Sequence, residues 1–459
     1  MKCRSVRAVA DPGRAGMPDR VMPRWRVLLA VAALYGAVSL TRFVDAYAGA
    51  PDQPKDCEPI AGAAATDDAG PALAEPSVRY ALPALPSAFV RRAGTVNDAS
   101  CLNRTHVFGV ARPSNVRELR EVLTFARQEG LQVTPSGARH SMGGQAFVPR
   151  GIVLDMRGMD DMAVDRDGGT LQVGAGATWE RVLGHVHARG LSVSSMQGVD
   201  ILTVGGSISV NAHGTDHRSG SIASTVRSLD IMLADGRVVR ADRSHHRQLF
   251  RSAIGGYGLF GVIVSAELDL VPNDMYAFDQ RLIAVDDFPA IYRDEIAPDD
   301  RARLAYVHLS TAPGSFMREA ILYRYDAAGP GAGPPPPLGD IGWVRSSRFM
   351  LNLSKTGRVG QWAKWAGQKH VLPRFRPCLE QRSTALASSE ACLFSRNQAL
   401  HTSLDALRNK LPYLPYQLRY TPEQFHRAYP AGRTFFARKR LFDPAELFSN
   451  HLYERYGRT

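Results

Sequence analysis

The stretch LQVTPSGARHSMGGQAFVPRGIVLDM, Leu131–Met156, decides how this chain is read. LQVTP has the character of a strand, and the segment before it, SNVRELREVLTFARQEG, is helical. There Val116, Leu119, Val122, Leu123 and Ala126 recur on one face, with Ser114 or Asn115 as cap and Gly130 as terminator. HVFGVARP, from His106, reads as a strand ahead of that helix, so the unit is strand, helix, strand. The loop Ser136–Phe147 leaves the end of the second strand, where open α/β units place ligands, and GIVLDM follows as another strand.

A second glycine-rich passage, TVGGSISVNAHG from Thr203 to Gly214, comes after a strand in TLQVGAG and a helix in TWERVLGHVHARG. VRSLDIMLADGRVVR then reads as a hairpin turning at Asp235-Gly236. LFRSAIGGYGLFGVIVSAELDLVP gives a helix, glycines and a strand closing at Pro272. Both loops bring glycines, hydroxyls and a histidine between strands, a pattern suited to a pyrophosphate held by backbone N–H groups. Gly256, Gly258 and Gly261 match GxGxxG formally, but a helix precedes them and a strand follows, the reverse of a dinucleotide fingerprint. His185 and His187 point to different helix faces, His245 and His246 sit in a polar turn, and all four read as solvated. No GxSxG elbow or P-loop is present.

The chain has 459 residues, 44% of them hydrophobic, enough for a large core and two or three domains. Its net charge is +12, of which residues 1–44 supply +6. With +6 left for 415 residues, no concentrated basic stripe is read in the body, and no nucleic-acid partner is expected. Five scattered cysteines make neither a disulfide scaffold nor a metal site. Val27–Thr41 is an uncharged run of 15 residues between Arg26 and Arg42, about 22 Å as a helix. A signal peptide and a short membrane anchor, that is, a transmembrane helix, both fit it, and either places the bulk of the chain on the extracytoplasmic side. Residues 49–95 are rich in Ala, Pro, Asp and Gly and read as a disordered linker. Residues 273–412 form a second region with strand-like ARLAYVHLS and REAILYRY, and residues 413–459 return to a helix-and-turn pattern.

Taken together, Arg139-His140-Ser141, Gly144-Gln145, GIVLDM, Thr203-Val-Gly-Gly, Asn211-Ala-His-Gly214, LADG and Gly258-Leu-Phe-Gly-Val-Ile263 resemble the FAD-binding domain of the vanillyl-alcohol oxidase and p-cresol methylhydroxylase family. Their order and spacing are similar to those of its cytokinin dehydrogenases, alditol oxidases and aldonolactone oxidases, from about Val107 to Pro272, with a similar tail in LFDPAELFSNHLYERYG. The resemblance implies an α+β fold: a two-subdomain FAD-binding domain over 96–272 and a smaller α+β substrate cap over 273–412. The carboxyl-terminal segment 413–459 would return to the FAD domain.

By the same resemblance, Ser136, Gly137, Ala138, Arg139, His140, Ser141 and Gln145 match the pyrophosphate loop. His140 matches the histidine that in many relatives is bonded to the flavin. Thr203, Gly205, Gly206, Ser209 and His213 match a second flavin-contacting segment, and Ile263 the residue whose backbone meets the adenine. The second cysteine of doubly attached flavins is absent near Ser195–Gly198. The HWGK segment of aldonolactone oxidases is absent too, with YLPYQLRY, Tyr413–Tyr420, in its place. The cap is shorter than in most relatives, particularly between Asn397 and Tyr413.

The implied activity is oxidation of an alcohol carbon of a sugar, polyol or lactone-like substrate, with oxygen or a membrane electron carrier as acceptor. Polar candidates for the catalytic face are His213, Tyr416, Arg419 and Lys439. A flavin-binding protein without turnover is the alternative that a shortened cap would give.

Overall fold

The computed structural model describes residues 33–34, 37–38, 40–41, 60–61, 84–100, 102–198, 200–331, 338, 357–374, 378–387 and 417–458. The chain divides into two units, residues 1–50 and 51–459, and everything below concerns the second. It is a mixed helix and sheet structure with three main sheets.

The first sheet joins β1 (Phe89–Arg92), β2 (Gly109–Ala111), β3 (Val133–Ser136) and β4 (Ile152–Asp155) in the order β1-β2-β4-β3. The last three run parallel, with Gly109 and Val133 both opposite Ile152. Between β2 and β3 lies α1 (Val116–Gln128), whose Leu119, Val122, Leu123 and Ala126 are buried at the spacing of one helical face. Asn115 caps it by accepting from Glu118 N at 3.0 Å, and the Glu118 carboxylate accepts in return from Ser114 N at 2.8 Å. Just beyond the helix Gly130 takes φ +63°, which lets the chain turn back into β3.

The second sheet is antiparallel. It is made of β5 (Met162–Asp165), β6 (Thr170–Gly174), β8 (Val226–Met232), β9 (Val238–Asp242) and β10 (Val262–Pro272), with β7 (Leu191–Val193) pairing the far end of β10. β8 and β9 form the hairpin turning at Asp235-Gly236, with Gly236 at φ +87°. Its helices are α2 (Trp179–His187), α3 (Val204–Ser209) and α4 (Arg247–Ala253). The third sheet, in the order β12-β13-β11-β14, is built from β11 (Met275–Ala284), β12 (Ala302–Leu309), β13 (Glu319–Gly329) and β14 (Leu379–Gln381). One of its faces carries Tyr323, Tyr325 and Leu304 into the main core, while Ile283, Ala320 and Leu322 close a separate cluster with Ile296 on the other. Helix α5 (Arg358–His370) follows, with Trp365 buried in the main core, and α6 (Arg382–Ala387) continues from β14.

The tail forms α7 (Pro422–Ala428), α8 (Gly432–Phe442) and α9 (His451–Tyr456). Between α8 and α9 the chain docks on β3: Val133 N donates to Leu447 O at 2.8 Å and Ser449 N to Val133 O at 3.1 Å.

Two sequence expectations need correction. The linker does not reach residue 95, because β1 pairs with β2 and Phe89 packs edge-on against Phe108 and Phe125. Phe89 stands among scattered alanines, leucines and prolines that give no periodicity, yet its burial fixes a strand. His187 is not solvated either: it is buried, and its Nδ1 lies 3.0 Å from Asn273 Nδ2. Among the described residues no helix is long and apolar enough to cross a membrane. Most of the run 27–41 lies outside them.

Candidate functional site

Strands β2, β4 and β3 all end on one side, and the loop Ser136–Phe147 starts at the end of β3. It meets the second glycine-rich passage directly. A side chain at Gly137 would overlap Thr203 Oγ1, so the Thr203 side chain packs directly on the bare backbone of the first loop. Thr203 is the N-cap of α3, accepting from Gly206 N at 3.3 Å. Gly205 N donates to Ala175 O at 2.8 Å, and a Cβ at 205 would stand 2.6 Å from that of Ala175. The third motif closes on the same place. A Cβ at Gly258 would run into the Pro135 ring, Tyr257 N donates to Ser209 O at 2.9 Å, and Asn450 Nδ2 donates to Tyr257 O at 2.8 Å.

Within the first loop Arg139 holds φ +60°, costly for a residue with a Cβ. Its side chain is buried and pairs with Asp155 at 3.5 Å. Asp155, wholly buried at the end of β4, also receives Arg112 at 2.8 Å and Arg157 at 2.7 Å. Burial pulls the Arg139 guanidinium down to about 10, against the opposing pull of Asp155. The other half of the loop is held by Asp98, which accepts from Gly144 N at 3.1 Å and Asn103 Nδ2 at 2.8 Å. Burial raises the Asp98 carboxyl, with the bonds from Ser100, Asn103 and Gly144 working against that rise. Met142 O accepts from Asn103 Nδ2 at 2.8 Å and from Gln417 Nε2. From the tail, His451 N donates to Phe147 O at 3.0 Å, and its ring Nε2 is 3.0 Å from Thr105 Oγ1.

The chemistry of this cradle suits a bound diphosphate. Ser136 Oγ and Arg139 Nε are buried with no hydrogen-bond partner. Buried donors without acceptors are costly, and phosphoryl oxygens supply acceptors. His140 is half-buried, its Nδ1 is 2.9 Å from Ala138 O, and desolvation lowers its pKa, so the ring is neutral near pH 7 with Nε2 as its other nitrogen.

Comparison with known proteins gives the same answer. The model of a family described as FAD binding domain matches residues 108–242. This segment is an FAD-binding domain. Three relatives show how far the likeness runs. Cytokinin dehydrogenase 2 of Arabidopsis thaliana is 32% identical over 35% of this chain and 33% of its own. L-gulonolactone oxidase of Mus musculus is 33% identical over 35% and 37%. D-lactate dehydrogenase of Archaeoglobus fulgidus is 33% identical over 36% and 39%. The matched region thus spans 33–39% of the length of these relatives.

Of the residues matched to the flavin, Ser136, Gly137, Ala138, Arg139, His140 and Ser141 line one loop, joined to Thr203, Gly205, Gly206 and Ser209 by the contacts above. Gln145 is turned into the loop, its Oε1 accepting from Gly143 N at 2.8 Å. Ile263 lies on β10 opposite Ile231. His213 is exposed, two residues before Thr215, whose carbonyl accepts from Ala305 N on β12 at 2.9 Å. The three catalytic candidates among the described residues have different surroundings. Tyr416 lies outside the described residues, and Arg419 is exposed. Lys439 is fully buried, 2.9 Å from Asp443, with its ammonium 4.7 Å from the Tyr453 ring centre. Sequence reasoning missed Asp98, Asn103, Gln417, Asn450 and His451, which hold the loops from distant parts of the chain.

Proposed function

We propose that the protein is an FAD-dependent oxidoreductase acting on the CH–OH carbon of a sugar, polyol or lactone-like substrate. The first two sheets then act as the FAD domain and the third as the cap over the substrate. The observation that carries this reading is the meeting of the two glycine loops at Gly137 and Thr203 around the unpartnered Ser136 and Arg139 groups. FAD held in this cradle would supply the hydride acceptor for oxidation of the alcohol carbon.

In this reading Ser136, Arg139 and the loop backbone bind the diphosphate, and Asp155 and Asp98 keep the loop in shape. His140 is the attachment point if the flavin is covalent, through the nitrogen not engaged with Ala138. His213 or Tyr416 takes the hydroxyl proton. Lys439 is committed to Asp443, and a guanidinium such as Arg419 does not act as a base. The test is anaerobic addition of sugars, polyols, lactones and 2-hydroxy acids to the yellow protein. Bleaching of the flavin band by one of them supports the reading, and no bleaching by any refutes it in favour of a flavin-binding protein without turnover.

The apolar run 27–41 favours one variant of this function, a membrane-held dehydrogenase on the extracytoplasmic side that passes electrons to a quinone or similar carrier. Oxygen uptake by the reduced protein separates an oxidase from it.

A further inference from the structure

Helix α5 is apolar on both sides. Its inner face is set by Gly360, Trp365 and Gln368, with Trp365 Nε1 donating to Glu319 Oε2 at 3.0 Å and Gln280 Nε2 to Gln368 O at 3.3 Å. On the opposite side, at helical spacing, stand Val359, Trp362, Ala363, Ala366 and His370. Val359 is 80% exposed and Trp362 65%, and the chain leaves the helix through exposed Val371 and Leu372. A helix lying on a sheet ordinarily turns polar residues outward.

In the sequence around this helix the charge is of one sign, although the Glu319 carboxylate reaches it from β13. Residues 341–379 contain eight Lys and Arg and no Asp or Glu. The chain's +12 therefore divides into +6 in residues 1–44, +8 in residues 341–379 and −2 in all the rest. The expectation that the body of the protein has no concentrated basic stretch is wrong: carboxylates elsewhere mask it in the total. On the described part, Lys369 is held by Glu319 at 2.6 Å, while Arg358 and Arg374 are exposed near the two ends of the apolar stripe.

We propose that the outward face of α5 docks on an anionic lipid bilayer. An exposed Trp and aliphatic side chains flanked by cations, with no carboxylate between them, are what an interfacial helix needs. The apolar stripe enters the acyl boundary and the cations meet anionic headgroups. Val359, Val371 and Leu372 have no use in stacking on nucleic-acid bases, which argues for lipid over a polynucleotide. The contact is separate from the run 27–41, and it places the third sheet at the membrane surface whether or not that run is retained.

The experiment is flotation of the full-length flavin-loaded protein with vesicles of phosphatidylcholine alone or mixed with phosphatidylglycerol, beside a Val359→Glu/Trp362→Glu variant. The wild type is expected to float more with the anionic vesicles than with phosphatidylcholine alone, and high salt should remove that excess whether or not the run 27–41 adds binding of its own. The variant should partition about tenfold more weakly, with unchanged flavin content and melting temperature. Equal flotation of the two proteins, or none by the wild type, overturns the proposal. So does a variant that melts lower without vesicles, since the face would then pack within the chain. A vesicle-free dimer, or oligonucleotide binding, that is lost in the variant while the wild type ignores lipid would assign the face to another partner and equally overturn it.

Discussion

Replacing Gly137 by alanine tests the closest approach in the site. The added Cβ would overlap Thr203 Oγ1 and stand 3.1 Å from Thr203 Cβ and 3.2 Å from Cγ2. Neither neighbour can withdraw freely: Thr203 caps α3 through Gly206 N, and two residues after Gly137 stands Arg139, tied to buried Asp155. Overpacking of this kind costs about 1–3 kcal/mol. If the loops part to relieve it, FAD binds about 5-fold to 150-fold more weakly. Thr203→Ala alone loses the cap, at about 1 kcal/mol. In the double variant the overlapping oxygen and Cγ2 are gone, leaving only the 3.1 Å contact, so it should bind FAD more tightly than Gly137→Ala alone. The assay is titration of apoprotein by flavin fluorescence quenching, in a His140→Ala background so that binding stays reversible. A Gly137→Ala variant within twofold of its parent, or a double variant whose losses simply add, refutes the geometry.

Lys439→Met should strip a buried carboxylate of its cation and destabilise the fold by about 3–5 kcal/mol, seen in chemical denaturation, with turnover per bound flavin unchanged in the folded fraction. A stable protein with lost turnover would restore Lys439 as a catalytic group. Asp155→Asn should cost about 3 kcal/mol, mostly through buried Arg139, since Arg112 and Arg157 are about 40% exposed and screened by water. A thermal melt equal to that of wild type contradicts this. Desolvation lowers the pKa values of both His140, within the first loop, and His451, packed against it, below 6.5. Below 6.5 the unfolded chain therefore binds more protons than the folded one, so this stability is present above pH 6.5 and lost as the pH falls below it. Melting temperature at pH 7.5, 6.5 and 5.5 should be flat and then drop, with a smaller drop in His451→Gln.

The elements of this fold were legible wherever one segment carries its own signal. The apolar spacing and Asn115 cap define α1, Asp235-Gly236 marks the hairpin, and the order of helix and strand around Gly256–Gly261 excludes a dinucleotide fingerprint. The two loops were legible as a pair because glycine is needed wherever backbones meet. What supports them was not. Asp98, Asn450 and His451 reach the cradle from far apart in the sequence, and no local pattern records contacts such as His451 N to Phe147 O. Lys439 and Asp443 stand four apart like any surface pair, and only packing by Tyr453 and its neighbours shows that they are buried. The basic stretch at 341–379 was hidden for another reason, because a net charge averages over carboxylates far from it.

The most direct test of the account is the visible spectrum of the purified full-length protein, before and after incubation with excess FAD and removal of unbound cofactor. The account predicts about one flavin per chain, with the content of Gly137→Ala clearly lower. A colourless chain that takes up no FAD while folded, by circular dichroism and a cooperative melt, would contradict it.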